Sequence, residues 1–184
     1  LESKNGECAD LRPLRLHGAD LSGFDLRGAM AARKDFRRSV LLGADLSGAT
    51  LEEANFSGLR LYGVSFDYAR MNWARLEDAK AGGVRFLDAE LQYARLGGAC
   101  LYKALMRNVN VISANIDDAD LPGAIFWTFL LQGLSAQGAV WDENSRFLED
   151  YDEEWRSRKG MMRLAAPAIL DAECEAEGNK TSYN

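Results

Sequence analysis

Apolar residues recur along this chain at every fifth position. Taking Leu46 as a phase marker, steps of five in both directions land on an apolar residue each time from Leu11 to Trp141. The large members include Leu21, Leu26, Phe36, Leu46, Leu51, Phe56, Phe66, Leu76, Phe86, Leu91, Leu96, Leu101 and Phe126, which form the expected core. Two residues before each marker stands a second column, mostly Ala, in which Lys34 and Ser39 are the polar exceptions. Such long self-similarity marks a repeat architecture.

A period of five matches neither the 3.6 of an α-helix nor the 2 of a flat strand. Three extended residues followed by a corner account for it. In the extended part the small residue and the marker face inward and the residue between them faces out. The next two residues turn the chain, and Gly is frequent at the second of them, as in Gly48 and Gly58, where a corner needs a positive φ. Four corners close a square coil of about 20 residues, and each coil is completed by the next one stacked on it. At about 4.8 Å per rung, the repeats make about seven coils and a rod roughly 30 Å long.

The units Ala19-Asp20-Leu21-Ser22-Gly23, Ala44-Asp45-Leu46-Ser47-Gly48, Ala54-Asn55-Phe56-Ser57-Gly58 and Ala119-Asp120-Leu121-Pro122-Gly123 resemble the pentapeptide-repeat family, and the resemblance spans residues 9 to 141. It implies an all-β, right-handed quadrilateral β-helix. Some members of that family resemble duplex DNA, bind DNA gyrase, a type II topoisomerase, and protect it from quinolones. The resemblance therefore implies two functions of different kinds: a rigid scaffold for a protein partner not identified by the sequence, or a DNA mimic acting on gyrase.

Four segments follow: a lead-in at 1–8, the coil at 9–141, a capping or dimerising segment at 142–177, and a disordered tail at 178–184. The piece from Glu149 through Lys159 suits a short helix with acids early and bases late, as the helix dipole prefers. The apolar run beyond Gly160, with Met161, Met162, Leu164 and Ile169, is expected to fold back over the coil or to pair with a second copy of the chain, because a terminal coil otherwise exposes an unpaired rung.

Charge separates the two functions. The 184 residues carry a net charge of −6. From residue 9 to 141 acids and bases balance at 15 each, and the acidity lies in the segment after Trp141. A neutral rod imitates a line of phosphates poorly, which favours the scaffold over the gyrase mimic, and the acidic total argues against direct nucleic-acid binding. Gyrase-binding members also often carry loops that interrupt the coil, whereas the phase here is unbroken.

Candidate contact residues are those expected to be large and outward. Trp73 and Tyr93 share one corner column, and Tyr62 and Tyr102 lie two rungs apart on another. Leu105, Ile125, Trp127 and Leu130, with Leu87, make the late outer surface apolar. Arg33, Lys34, Arg37 and Arg38 form a basic cluster, read either as a solvated irregular corner or as a contact for an acidic partner, with either a local bulge of the second coil or Lys34 snorkelling to solvent from near the open end.

No chemistry-bearing constellation emerges. His17 is the single histidine, no nucleophile motif, paired carboxylates or Gly-rich phosphate loop stands in context, and no metal-ligand spacing exists. The reading is accordingly a non-enzyme with no catalytic residue, no metal and no cofactor. Cys8, Cys100 and Cys174 are odd in number and far apart, and are expected to be reduced thiols. No apolar run is long enough for a membrane span and no signal peptide is visible, which points to the cytoplasm. The chain opens on Leu1, so removal of an upstream targeting segment is the alternative.

Overall fold

The computed structural model describes residues 9–128, 130–148 and 152–163. The lead-in at 1–8, residues 149–151 and the stretch from 164 onward, with the readings made for them above, lie outside the described residues.

The backbone forms a square coil in which each outward residue pairs in parallel with the residue 20 positions on. One side carries the ladder Asp10, Met30, Thr50, Arg70, Glu90, Asn110, and the others carry Asp35 to Ser135, Asp25 to Leu105 and Asp20 to Val140. The hydrogen bonds around Leu46 show the scheme. Leu46 N–H donates to Ser65 C=O at 2.8 Å, Ser65 N–H donates to Ala44 C=O at 3.2 Å, and Ala49 N–H closes the corner on Leu46 C=O at 3.1 Å. At every fifth residue from Gly18 to Gly123 the corner has a positive φ at its second central position, which where the corner bond closes is the type II geometry. Gly48 sits there with φ 69°. Non-glycine residues occupy the same conformation elsewhere, among them Tyr68, Trp73 and Tyr93, each with φ 59°.

The two inward columns fill the axis. Every expected core residue from Leu21 to Phe126 is buried, with Leu21 the most accessible at 4%. Phenylalanines stack along the axis: Phe36 on Phe56 at 4.6 Å between centroids and Phe66 on Phe86 at 5.4 Å, with Phe56 meeting Phe66 edge-on. Alanine is needed in the second column because two inward side chains per unit converge on a narrow axis, and only one of them has room to be large.

The ladder is interrupted at one place on the Asp20 side. Among the described residues it runs Asp20 to Val40 and resumes at Arg60 to Lys80, with no Val40 to Arg60 pairing. At this rung Leu59 and Ser39 stand where alanine is usual, and both are buried. The break is local, since Phe36 N–H still donates to Asn55 C=O and Gly43 N–H to Tyr62 C=O between the same two coils. Lys34 is half-buried, and its Nζ donates to Leu14 C=O at 3.0 Å, one coil nearer the open end.

Late in the chain the rungs lengthen into short strands. Strand β1 (Leu105–Arg107) pairs with β2 (Ile125–Trp127), and β2 with β4 (Arg146–Phe147), while β3 (Val140–Trp141) pairs with β5 (Met162–Arg163). Pairing thus continues past Trp141, where the pentad ends. Asp142 makes the first irregular corner by accepting the Gly123 N–H at 2.9 Å and the N–H groups of Asn144 and Ser145. Burial pushes its carboxyl pKa up, but these donors outweigh it and the net shift is downward.

Helix α1 (Glu153–Arg158) follows. It is shorter than the sequence reading, because the Asp152 side chain accepts the Trp155 N–H at 2.8 Å and so fixes the start, and Gly160 with φ 74° ends the segment. The Arg156 guanidinium lies 4.1 Å over the Trp141 ring and 4.9 Å over Phe147, which itself packs edge-on against Trp141.

The core assignment is testable by circular dichroism melting. Phe56→Ala is expected to cost about 3–5 kcal/mol. Leu46→Asp should abolish the cooperative transition, whereas Arg75→Ala should change stability by less than about 0.5 kcal/mol.

Candidate interaction surfaces

The outward columns set out side chains at fixed spacing on a rigid support, so candidate sites are patches rather than a pocket with reactive groups. Trp73 and Tyr93 lie on one corner column, their rings 5.0 Å apart and nearly parallel at 5°, and they are 54% and 47% exposed. Arg75 and Arg95 stand beside them on the adjacent side, both reaching Glu77, at 3.5 and 2.8 Å respectively. Glu53, Trp73, Arg75, Tyr93 and Arg95 together line a shallow recess of about 520 Å³. Exposed aromatics next to arginines are the usual composition of a protein contact.

The backbone singles out the same residues. Bulky side chains rarely adopt a positive φ, and each such corner costs of order 1 kcal/mol relative to glycine. Tyr68, Trp73 and Tyr93 hold large rings there and leave them in solvent. Tyr68, 65% exposed, is absent from the sequence candidates, although its signal was present as an aromatic residue at a corner position that favours glycine.

The remaining candidates divide. Tyr62 is buried at 6%, which corrects its reading as an exposed anchor. Tyr102 is half-buried, packs against Cys100, and carries the Lys103 ammonium 4.7 Å from its ring centre. Leu105 and Ile125 are half-buried and paired in β1 and β2, while Trp127, under the Arg107 guanidinium at 5.2 Å, and Leu130 remain exposed. Among the described residues Met162–Arg163 extends the side ending at Val140 and does not lie over the Leu105 and Ile125 side.

The basic cluster is mostly neutralised. Arg33 pairs with Glu53 at 2.9 Å and Arg37 with Asp35 at 2.7 Å, which leaves Arg38 with Arg37, Arg60 and His17 around a cleft of about 1030 Å³. The cleft opens where the ladder is interrupted, and Val40, Leu42 and Leu59 give it an apolar floor. His17 Nδ1 lies 3.5 Å from Asp35 at an exposed corner.

Cys100 requires a correction. It is buried at 3% and disulfide-bonded, not a reduced thiol. The other two cysteines lie outside the described residues. Among the described residues no group of His, Cys, Asp or Glu is gathered to hold a metal, and no helix is long and apolar enough to cross a membrane.

A family model for pentapeptide repeats matches eight copies, over residues 35–67 and 69–108. A pentapeptide-repeat protein from the thylakoid lumen of Arabidopsis thaliana is 30% identical over 59% of this chain and 69% of that one, with a TM-score of 0.43. The chain belongs to the pentapeptide-repeat family. Its square coil is accordingly a right-handed quadrilateral β-helix. Rfr23 of the cyanobacterium Cyanothece 51142, another pentapeptide-repeat protein, is 21% identical over 74% of this chain and 95% of that one, with a TM-score of 0.40. QnrB1, a plasmid-mediated fluoroquinolone resistance protein, is 16% identical over 85% of this chain and 87% of that one, with a TM-score of 0.44. No curated protein matches the sequence.

The pentapeptide pattern also builds local charge pairs. In Asp10, Asp25 and Asp35 the outward carboxylate takes a side-chain hydrogen bond from the arginine two residues on and a second from that arginine's backbone N–H, and both hold the pKa down, from an ordinary 3.8 to about 2. Because these pKa values are depressed, the stabilisation they supply is full above about pH 4 and is lost as pH falls towards 2. The pairs are exposed, so the effect is small. An Arg12→Ala, Arg27→Ala, Arg37→Ala triple variant should melt slightly below wild type at pH 7. The gap in melting temperature should narrow as pH falls below about 4 and close only below about pH 2.

Proposed function

We propose that this pentapeptide-repeat protein is a non-enzymatic, rigid scaffold that binds a protein partner. The stacked Trp73–Tyr93 pair carries the reading: two large rings are held in solvent at strained corners, beside Arg75 and Arg95, on a support that does not rearrange. Strain retained at an exposed position is easier to understand as function than as folding. A partner suited to this patch offers an apolar or aromatic group flanked by carboxylates. Helix α1 serves as the C-terminal cap of a rod of about seven coils, with Arg156 closing the aromatic end of the core; a second copy of the chain is the alternative cover for that end.

Gyrase binding by DNA mimicry is the second reading, and the charge geometry disfavours it. The Asp25 side changes from Asp25 and Asp45 to Ser65, Arg85, Leu105 and Ile125. Elsewhere several acids are matched by arginines, with Asp67 bonded to Arg85 at 2.5 Å and Glu52 to Arg70 at 2.6 Å. A continuous acidic track is missing from the described faces.

The test is affinity capture from the native cell followed by titration of the captured partner. A Trp73→Ala, Tyr93→Ala double variant should fold normally and bind at least about tenfold more weakly. In a gyrase supercoiling assay, with and without a quinolone, the wild type should have no effect. Inhibition or protection at micromolar protein would instead make DNA mimicry the primary reading.

A further inference from the structure

Where the Asp20 side is interrupted, the backbone lacks bonds that the coil makes on the neighbouring rungs. There Leu21 N–H donates to Val40 C=O, Leu61 N–H donates to Lys80 C=O, and Lys80 N–H returns to Leu59 C=O. The same scheme would join Leu41 N–H to Arg60 C=O and Arg60 N–H to Ser39 C=O. Neither bond forms among the described residues. The adjoining corner is open as well: Gly58 N–H donates to Glu77 C=O one coil on, but Arg38 N–H makes no such bond to Ser57 C=O. Backbone groups directed towards the next coil are therefore left at the opening, where an unmatched donor is costly.

This opening lies in the cleft of about 1030 Å³, whose lining includes Ser39, Val40, Leu59 and Arg60 of the unpaired rung. Leu59 and Ser39 are buried at its base, and Val40 and Leu42 are exposed along its walls. Among the described residues the rest of the lining is basic, with Arg37, Arg38, Arg60 and His17 and no carboxylate. Arg37 is held by Asp35 at 2.7 Å and Arg60 has a bonding partner, whereas Arg38 makes no ion pair among the described residues.

We propose that this cleft is a binding site for a small anion with an apolar body, of the class of aliphatic carboxylates. The carboxylate pairs with the Arg38 guanidinium in a charge-assisted hydrogen bond, and its chain lies against Val40, Leu42 and Leu59. The size and the apolar lining with a few converging polar groups match the usual makeup of a small-molecule site, for which about 300–1,000 Å³ is typical. The buried base admits a slim group and not a flat protein surface. An inorganic anion would leave the apolar walls in water, and an uncharged chain would leave Arg38 unmatched. The site is separate from the Trp73–Tyr93 recess, with which it shares no lining residue.

The full chain, labelled with ¹⁵N, should be titrated with decanoate below its micelle concentration and followed by NMR. Saturable shifts centred on residues 37–42 and 57–60 are expected, with a Kd below about 1 mM, while acetate and decanol bind at least about tenfold more weakly. Arg38→Glu and Leu42→Glu change exposed residues, so both variants should keep the wild-type circular dichroism spectrum and lose at least about tenfold in decanoate affinity. The Trp73→Ala, Tyr93→Ala double variant should bind decanoate as wild type does, which separates this site from the scaffold reading. Absence of saturable shifts up to about 10 mM decanoate, or shifts centred elsewhere, overturns the site. Equal binding of decanol, or full affinity in Arg38→Glu, overturns its selectivity for an anion.

Discussion

The structure depends on one interaction, the parallel backbone hydrogen bonds that join each residue to the one a full coil away. A single square coil leaves these ladder amides and carbonyls unpaired, and a matching square above and another below are needed to pair them all. That requirement fixes the side length, since a side one residue longer would shift every later rung out of register. It also explains the alanine column: coils that stack directly leave room on the axis for one large and one small side chain per unit, which Phe56 and Ala54 illustrate.

The same constraint governs the corners. Each must turn the chain with a positive φ at one position, whether that position holds Gly48 or Trp73. Glycine meets the demand without strain. Where aromatic rings meet it instead, the stacked coils impose the conformation, and the rings project from a scaffold whose spacing is set by the ladder. The scaffold reading therefore rests on backbone conformation as much as on exposure. Among the described residues the Asp20 side is interrupted between Val40 and Arg60, at the rung where Leu59 and Ser39 stand in the alanine column.

The period and the core were legible because they are local: each unit of five residues states its own inward and outward positions, and the reading from Leu21 to Phe126 needed no long-range information. The Trp73–Tyr93 stack followed from the same arithmetic, because residues 20 apart must lie over one another. Three features were not legible in this way. Tyr62 occupies a corner that the pattern makes outward, and its burial depends on cover that no period encodes. The basic cluster reads as concentrated positive charge along the chain, but Arg33 finds Glu53 across a coil boundary. Cys100 has no spacing signal for its disulfide, since its position in the pentad is an ordinary outward one.

The sequence by itself determined the coil, its axis and which side chains face outward, because a repeated pentad makes the fold a sum of nearest-neighbour contacts. Tertiary structure decided which outward residues stay in solvent, which charges are cancelled, and where the ladder opens. Those outcomes depend on side-chain volume and on the course of the irregular segment after Trp141, and neither is written in the period.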